Sequence, residues 1–94
     1  MKIKNGFEIS ESQPGIYVAR AVGERAEEFP QGIQMGLSGA RLWDMMTNRD
    51  CTEVELIMAL DSLYEAEVTN EQLKADVTMF VEFLRANNLL EVDG

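Results

Sequence analysis

Histidine is absent from the 94 residues. Imidazole is the usual general base near neutral pH and the commonest metal ligand, so Ser-His triads, Cys-His nucleophiles and His-bearing zinc sites are excluded. Cysteine occurs once, at Cys51, which rules out an internal disulfide or a Cys-rich metal site and agrees with a reducing compartment. Without a second Cys or any His, Cys51 reads as a small residue at a helix entry. No apolar run approaches the roughly 18 to 20 residues of a membrane span. The opening MKIKNGFEIS lacks the apolar stretch of a signal peptide, so the expected location is the cytoplasm, with no membrane partner. Catalysis by a carboxylate pair remains possible in principle. A domain this small would spend much of its core enclosing a substrate, so no enzyme activity, no metal and no cofactor are expected.

Positive charge is also scarce. Eight Lys and Arg face 17 Asp and Glu, for a net charge of −9. Residues 1–47 hold five cations against six acids, whereas residues 48–94 hold three against eleven. The second half repels phosphate, so basic partners are favoured and nucleic acid is not expected.

What is present fits one globular domain spanning residues 1–94, at 46% hydrophobic and 27% charged. Only about 60 to 65% of the unfolded surface of so short a chain can be buried, which leaves room for one core. Phe7–Ser10 and Ile16–Ala19 are short β-forming runs. Between them Ser12-Gln13-Pro14-Gly15 predicts a turn, Pro presetting φ and Gly accepting a positive one. Gly23–Gly32 is polar and acidic and reads as a surface loop, followed by a third strand, Ile33-Gln34-Met35-Gly36-Leu37. Ser38 is placed to cap a first helix through Met46. Thr52 with Glu55 is a capping box for a second helix ending near Ala66, and Thr69 with Gln72 repeats that spacing for a third. Asn87-Asn88 suits a left-handed cap, and Leu89-Leu90-Glu91-Val92 is apolar enough to pack back on the core. Three short strands followed by three helices predict an α+β domain with a small antiparallel sheet packed on three helices.

Two features point to binding. At 100° per residue, with Leu73 at zero, Val77, Phe80, Val81 and Leu84 form the ordinary core stripe of the third helix. Met79 and Phe83 fall outside it at about 240° and 280°, beside Gln72 and Asp76 at about 260° and 300°. A flank that mixes large apolar groups with polar ones resembles a cleft wall, although the same two side chains also suit a completed core. The second feature is the third strand, which holds neither Lys nor Pro to protect its edge and can accept an added strand. In that reading, pairing along Ile33 to Leu37 supplies much of the affinity. The same edge also permits a homodimer by strand pairing.

The segment Gly36-Leu37-Ser38-Gly39-Ala40-Arg41-Leu42-Trp43-Asp44-Met45-Met46, with its small residues before a Leu-Trp pair, resembles the PqqD family, also called RiPP recognition elements. The likeness continues through Thr52-Glu53-Val54-Glu55-Leu56-Ile57. It is clearest in Leu73-Lys74-Ala75-Asp76-Val77-Thr78-Met79-Phe80-Val81-Glu82-Phe83-Leu84, and it reaches Asn88-Leu89-Leu90, covering about residues 33–92. The resemblance implies a winged helix-turn-helix that binds the leader of a ribosomally made precursor peptide. It would present that leader to a modifying enzyme, often a radical SAM enzyme. In the family the leader adds to the third strand and lies against the third helix. Carried over, this marks Ile33, Gln34, Met35 and Leu37 on the strand and Gln72, Asp76, Val77, Met79, Phe80 and Phe83 on the helix. The acidic loop Gly23–Gly32 departs from the tight turn usual there, and the first strands match only in a general way. The pathway stays open between coenzyme PQQ synthesis and another peptide product.

Two other functions fit the same elements. A winged helix-turn-helix DNA reader would present clustered Lys and Arg on its third helix, whereas Lys74 and Arg85 there face Glu71, Asp76 and Glu82. A structural adaptor docked on a larger enzyme through its acidic half would need no peptide cleft.

Overall fold

The computed structural model describes residues 1–64 and 68–91. Strands β1 (Phe7–Gln13) and β2 (Ile16–Ala21) form an antiparallel hairpin. Both run longer than the sequence predicts: β1 because the turn tightens onto Pro14-Gly15, with Gly15 at φ 78°, and β2 because Arg20 and Ala21 pair with Glu8 and Phe7 at the far end. Only a residue without Cβ takes that φ at no cost. Strand β3 (Ile33–Met35) pairs antiparallel with β2, giving the order β1-β2-β3.

The segment expected as loop, Gly23–Gly32, contains a one-turn helix, α1 (Arg25–Glu28). Its Arg25 donates to Glu28 at 3.0 Å and to the Asn5 carbonyl at 3.2 Å, which ties the turn to the N-terminal segment. The third strand is shorter than expected. Gly36 caps helix α2 (Leu37–Asn48) with extended backbone, and its carbonyl accepts from Ala40 N–H at 2.9 Å. Leu37 is therefore the first residue of a helix and not a strand residue, and Ser38 is not the cap.

Helix α3 (Glu53–Leu63) carries the full capping box: Thr52 accepts from Glu55 N–H at 3.2 Å and donates its own N–H to the Glu55 carboxylate at 3.0 Å. It stops at Leu63, short of the expected end near Ala66, which lies outside the described residues. Helix α4 (Asn70–Ala86) is the third helix of the sequence reading. Thr69 caps it by accepting from Gln72 N–H at 3.1 Å, without the reciprocal bond. The chain leaves α4 through Asn88 at φ 59°, the left-handed cap expected. The described residues thus form three strands and four helices, one more helix than predicted. Of the apolar tail, Leu89 and Leu90 do pack inward, while Val92 falls outside the described residues.

The core lies between the helices and one sheet face. Trp43, Leu42, Met46, Leu56, Leu60, Leu73, Val77 and Leu84 are buried to 2% exposure or less. Phe7, Ile9, Ala19, Ile33 and Met35 meet them from the sheet. Phe7 packs on Phe29 at 5.4 Å and edge-on to Trp43 at 5.5 Å, so the α1 loop is anchored to the core through an aromatic chain. Ile3, which the sequence pattern did not single out, is fully buried. Backbone bonds from Ile3 N–H to Met46, from Lys4 N–H to Leu89 and from Glu91 N–H to Lys2, at 2.8 to 2.9 Å, stitch both chain ends to the helical layer.

Candidate functional site: an open strand edge beside a helix wall

Hydrogen-bond parity decides what the β3 edge offers. Val22 N–H donates to the Gly6 carbonyl at 2.8 Å, one step beyond the Phe7–Ala21 pair. Bonded and non-bonded pairs alternate along an antiparallel ladder. Arg20 and Val18 therefore turn their backbone groups toward β1, and Ala19 and Tyr17 turn theirs toward β3. Ala19 faces Ile33 and Tyr17 faces Met35, so those two β3 residues are committed to β2. Gln34 is left with its N–H and C=O pointing away from the sheet. Among the described residues nothing pairs with that edge. The edge of the sequence reading is open, but it presents the polar groups of one strand residue, not of five.

Side chains alternate across the sheet. Gln34 therefore points to the solvent face, and Ile33 and Met35 point toward the helices. Helix α4 packs chiefly on α3, not on β3. The gap between α4 and β3 is a cleft of three adjoining hollows. The middle one, about 300 Å³, is lined by Ile33, Met35, Gly39, Phe80 and Phe83. Beyond Ile33 a hollow of about 420 Å³ lies among Phe29, Gln31, Phe83 and Asn87. At the other end about 280 Å³ is bounded by Ser38, Leu42, Leu60, Asp76 and Met79. Ile33, Gln34 and Phe83 are shared by the middle and larger hollows, and Ser38, Gly39 and Phe80 by the middle and smaller ones, so the cleft is continuous.

The helical residues singled out from sequence separate into three kinds. Met79 and Phe83 are 70% and 44% exposed, which removes the alternative that they complete the core. Phe80 is half-buried and forms the cleft floor, and Asp76 stands at its rim. Val77 is fully buried and lines none of the hollows, so it supports the cleft from beneath. Gln72 is exposed one turn before Asp76 and outside the lining. Leu37, displaced onto α2, is 53% exposed beside Ile9, Tyr17 and Arg41 in a separate hollow.

Sequence reasoning missed Gly39, and a signal for it was available. A Cβ there would sit 3.2 Å from the Met35 Cβ and 3.5 Å from the Phe80 ring, so a glycine inside a helix marks close approach. It also missed Phe29, Gln31 and Asn87 at the far end, whose roles depend on the α1 turn folding back.

The cleft is nearly uncharged. Glu28, at its far end, is paired with Arg25 at 3.0 Å and Lys4 at 3.9 Å. Asp76 has no ion-pair partner among the described residues. Cys51 lies away from the cleft, and burial raises its thiol pKa above the ordinary value, with Arg49 opposing. The described residues include no group of three or more His, Cys, Asp or Glu placed to hold a metal. None of the described helices is long and apolar enough to cross a membrane.

A three-stranded antiparallel sheet whose β3 edge is bare beside α4, backed by helices, defines a small winged-helix-like module. The family described as coenzyme PQQ synthesis protein D (PqqD) matches residues 20–90, which is most of the chain, and the chain belongs to that family. The match begins at Arg20, leaving out β1 and most of β2, the strands whose likeness was only general. Among solved structures, "TbiB1 in Complex with the TbiA(beta) Leader Peptide" superposes with a TM-score of 0.72 at 18% identity. It covers 100% of this chain and 99% of the other, so the two share a fold over their full lengths. No curated protein is significantly similar to this chain in sequence.

Proposed function

We propose that this protein is a non-catalytic holder of a precursor-peptide leader, which it presents to a peptide-modifying enzyme such as a radical SAM enzyme. The observation that carries the reading is the bare Gln34 edge standing beside the exposed Met79 and Phe83. An extended peptide satisfies its own backbone on such an edge while placing alternate side chains against the helix. Membership of the PqqD family and the shared fold with a protein solved with a leader peptide support the same reading.

Ile33, Gln34, Met35, Asp76, Met79, Phe80 and Phe83 are the proposed contact residues, with Val77 supporting them. A cytoplasmic location fits the single reduced thiol, and the product pathway follows from whichever peptide is held.

Backbone amide shifts under titration with the leader of a precursor encoded beside this protein's gene test the proposal. Perturbations should concentrate at residues 33–36 and 76–83. Saturable perturbations confined to α3, or none at all, would overturn it.

A further inference from the structure

We infer that the cleft selects a basic residue followed by two apolar residues at every second position, in the order cation-x-apolar-x-apolar. The inference rests on the reading of the cleft as a peptide site and adds register and charge to it, for a guest that pairs antiparallel with β3.

Register follows from Gln34. A strand added antiparallel to β3 places one guest residue opposite Gln34, exchanging two hydrogen bonds with it and turning its side chain to the solvent face. The guest residue before it lies opposite Met35 and points into the middle hollow, over Gly39 and Phe80. The residue after it lies opposite Ile33 and points into the larger hollow, between Phe29 and Phe83. Two apolar side chains separated by one free position therefore enter the cleft, and the larger hollow favours the bulkier one second.

Two residues earlier the guest chain has advanced by about 6.6 Å, past the end of β3, and its side chain again faces α4. There the hollow has an apolar floor of Leu42 and Leu60, a flexible wall in Met79, and the Asp76 carboxylate at its rim. Lys and Arg combine an apolar stem with a charged head and fit that combination of floor and rim. The cations of α4 do not compete for Asp76. Lys74 and Arg85 sit at about 100° and 120° on the helical wheel, on the far side from Asp76 at about 300°. Met79, being unbranched, adapts to either stem.

Panning the full chain against a random 12-residue display library, then titrating a synthetic peptide built from the consensus, tests the inference. Captured sequences should align on two apolar residues at i and i+2, with Lys or Arg at i−2. Replacing that cation by norleucine should weaken binding by about two- to fivefold, the range of a solvent-exposed ion pair, and more at low salt than at high. Against Asp76→Asn the same replacement should change nothing, while the apolar spacing stays selected. Captured peptides lacking the i, i+2 spacing overturn the register, and a cation effect that survives Asp76→Asn overturns the charge assignment. No capture of any peptide would overturn the holder function itself.

Discussion

Proline at position 34 is the sharpest perturbation the geometry allows. Gln34 spends neither its N–H nor its C=O on β2, so Gln34→Pro removes only an outward donor and costs the sheet no hydrogen bond. Proline is tolerated on an edge strand whose N–H faces solvent. The fold should lose less than about 1 kcal/mol, and the melt followed by circular dichroism should stay nearly unchanged. The guest loses one hydrogen bond, about 1 kcal/mol net, and has a carbonyl left without a partner, another 1 to 3 kcal/mol. Fluorescence anisotropy with a labelled leader should then show affinity lower by roughly thirtyfold or more, at about 1.4 kcal/mol per tenfold. Met35→Pro is the contrasting control, because it removes a bond to Tyr17 and damages β3 itself. Wild-type affinity in Gln34→Pro with an unchanged melt would refute strand addition at this edge.

Gly39→Ala should narrow the middle hollow, since the new Cβ lies 3.2 Å from Met35 and 3.5 Å from the Phe80 ring. Peptide affinity should fall several-fold, while thermal stability stays within about 1 kcal/mol because the gain in helix propensity offsets the tight contact. Leu84→Ala, at a fully buried position, should cost about 2 to 5 kcal/mol, read as a shifted urea midpoint. The Glu55 pKa lies below the ordinary glutamate value, first because the Thr52 N–H bonds its carboxylate and next because Arg49 does. A depressed carboxylate stabilises fully above its unfolded pKa and loses that contribution as pH falls through the folded one. Unfolding followed below the ordinary glutamate range should thus show a loss of stability that Glu55→Gln removes. The Cys51 thiol, 2% exposed with its pKa raised by burial, should resist iodoacetamide in the native protein at pH 7.5 and react on unfolding, as read by mass spectrometry.

Local chemistry made most of the fold legible. The Thr52 and Thr69 caps, the Pro14-Gly15 turn and the left-handed Asn88 are each settled within four residues of chain, so spacing alone predicts them. Met79 and Phe83 stood out because a helical wheel separates residues that serve the core from those that do not. What failed depended on distant contacts. Leu37 looks like a strand residue until Gly36 turns its carbonyl to Ala40 and starts the helix early. The α1 turn is short and acidic, and it is held by Phe29 against Phe7 and by Arg25 against Asn5. Neither tie has a periodic signature, and the same is true of Ile3, held by its own bond to Met46 and by that of its neighbour Lys4 to Leu89.

The early start of α2 sets how the binding energy must be divided. With the edge cut to three residues, Gln34 would offer a guest strand two backbone hydrogen bonds, worth about 1 to 3 kcal/mol together. A micromolar complex requires about 8 kcal/mol. Most of that energy must come from the hollows, where a fully enclosed apolar side chain contributes about 1.5 to 3 kcal/mol. In the proposed complex the edge would then fix register, and α4 would supply the selectivity. That division also separates this chain from a DNA reader built on the same scaffold. The helix such a reader would lay against phosphate carries, on its cleft flank, one carboxylate with no ion-pair partner among the described residues and two exposed apolar side chains, within a chain of net charge −9. Such a surface gains from enclosing hydrocarbon and loses from approaching a polyanion.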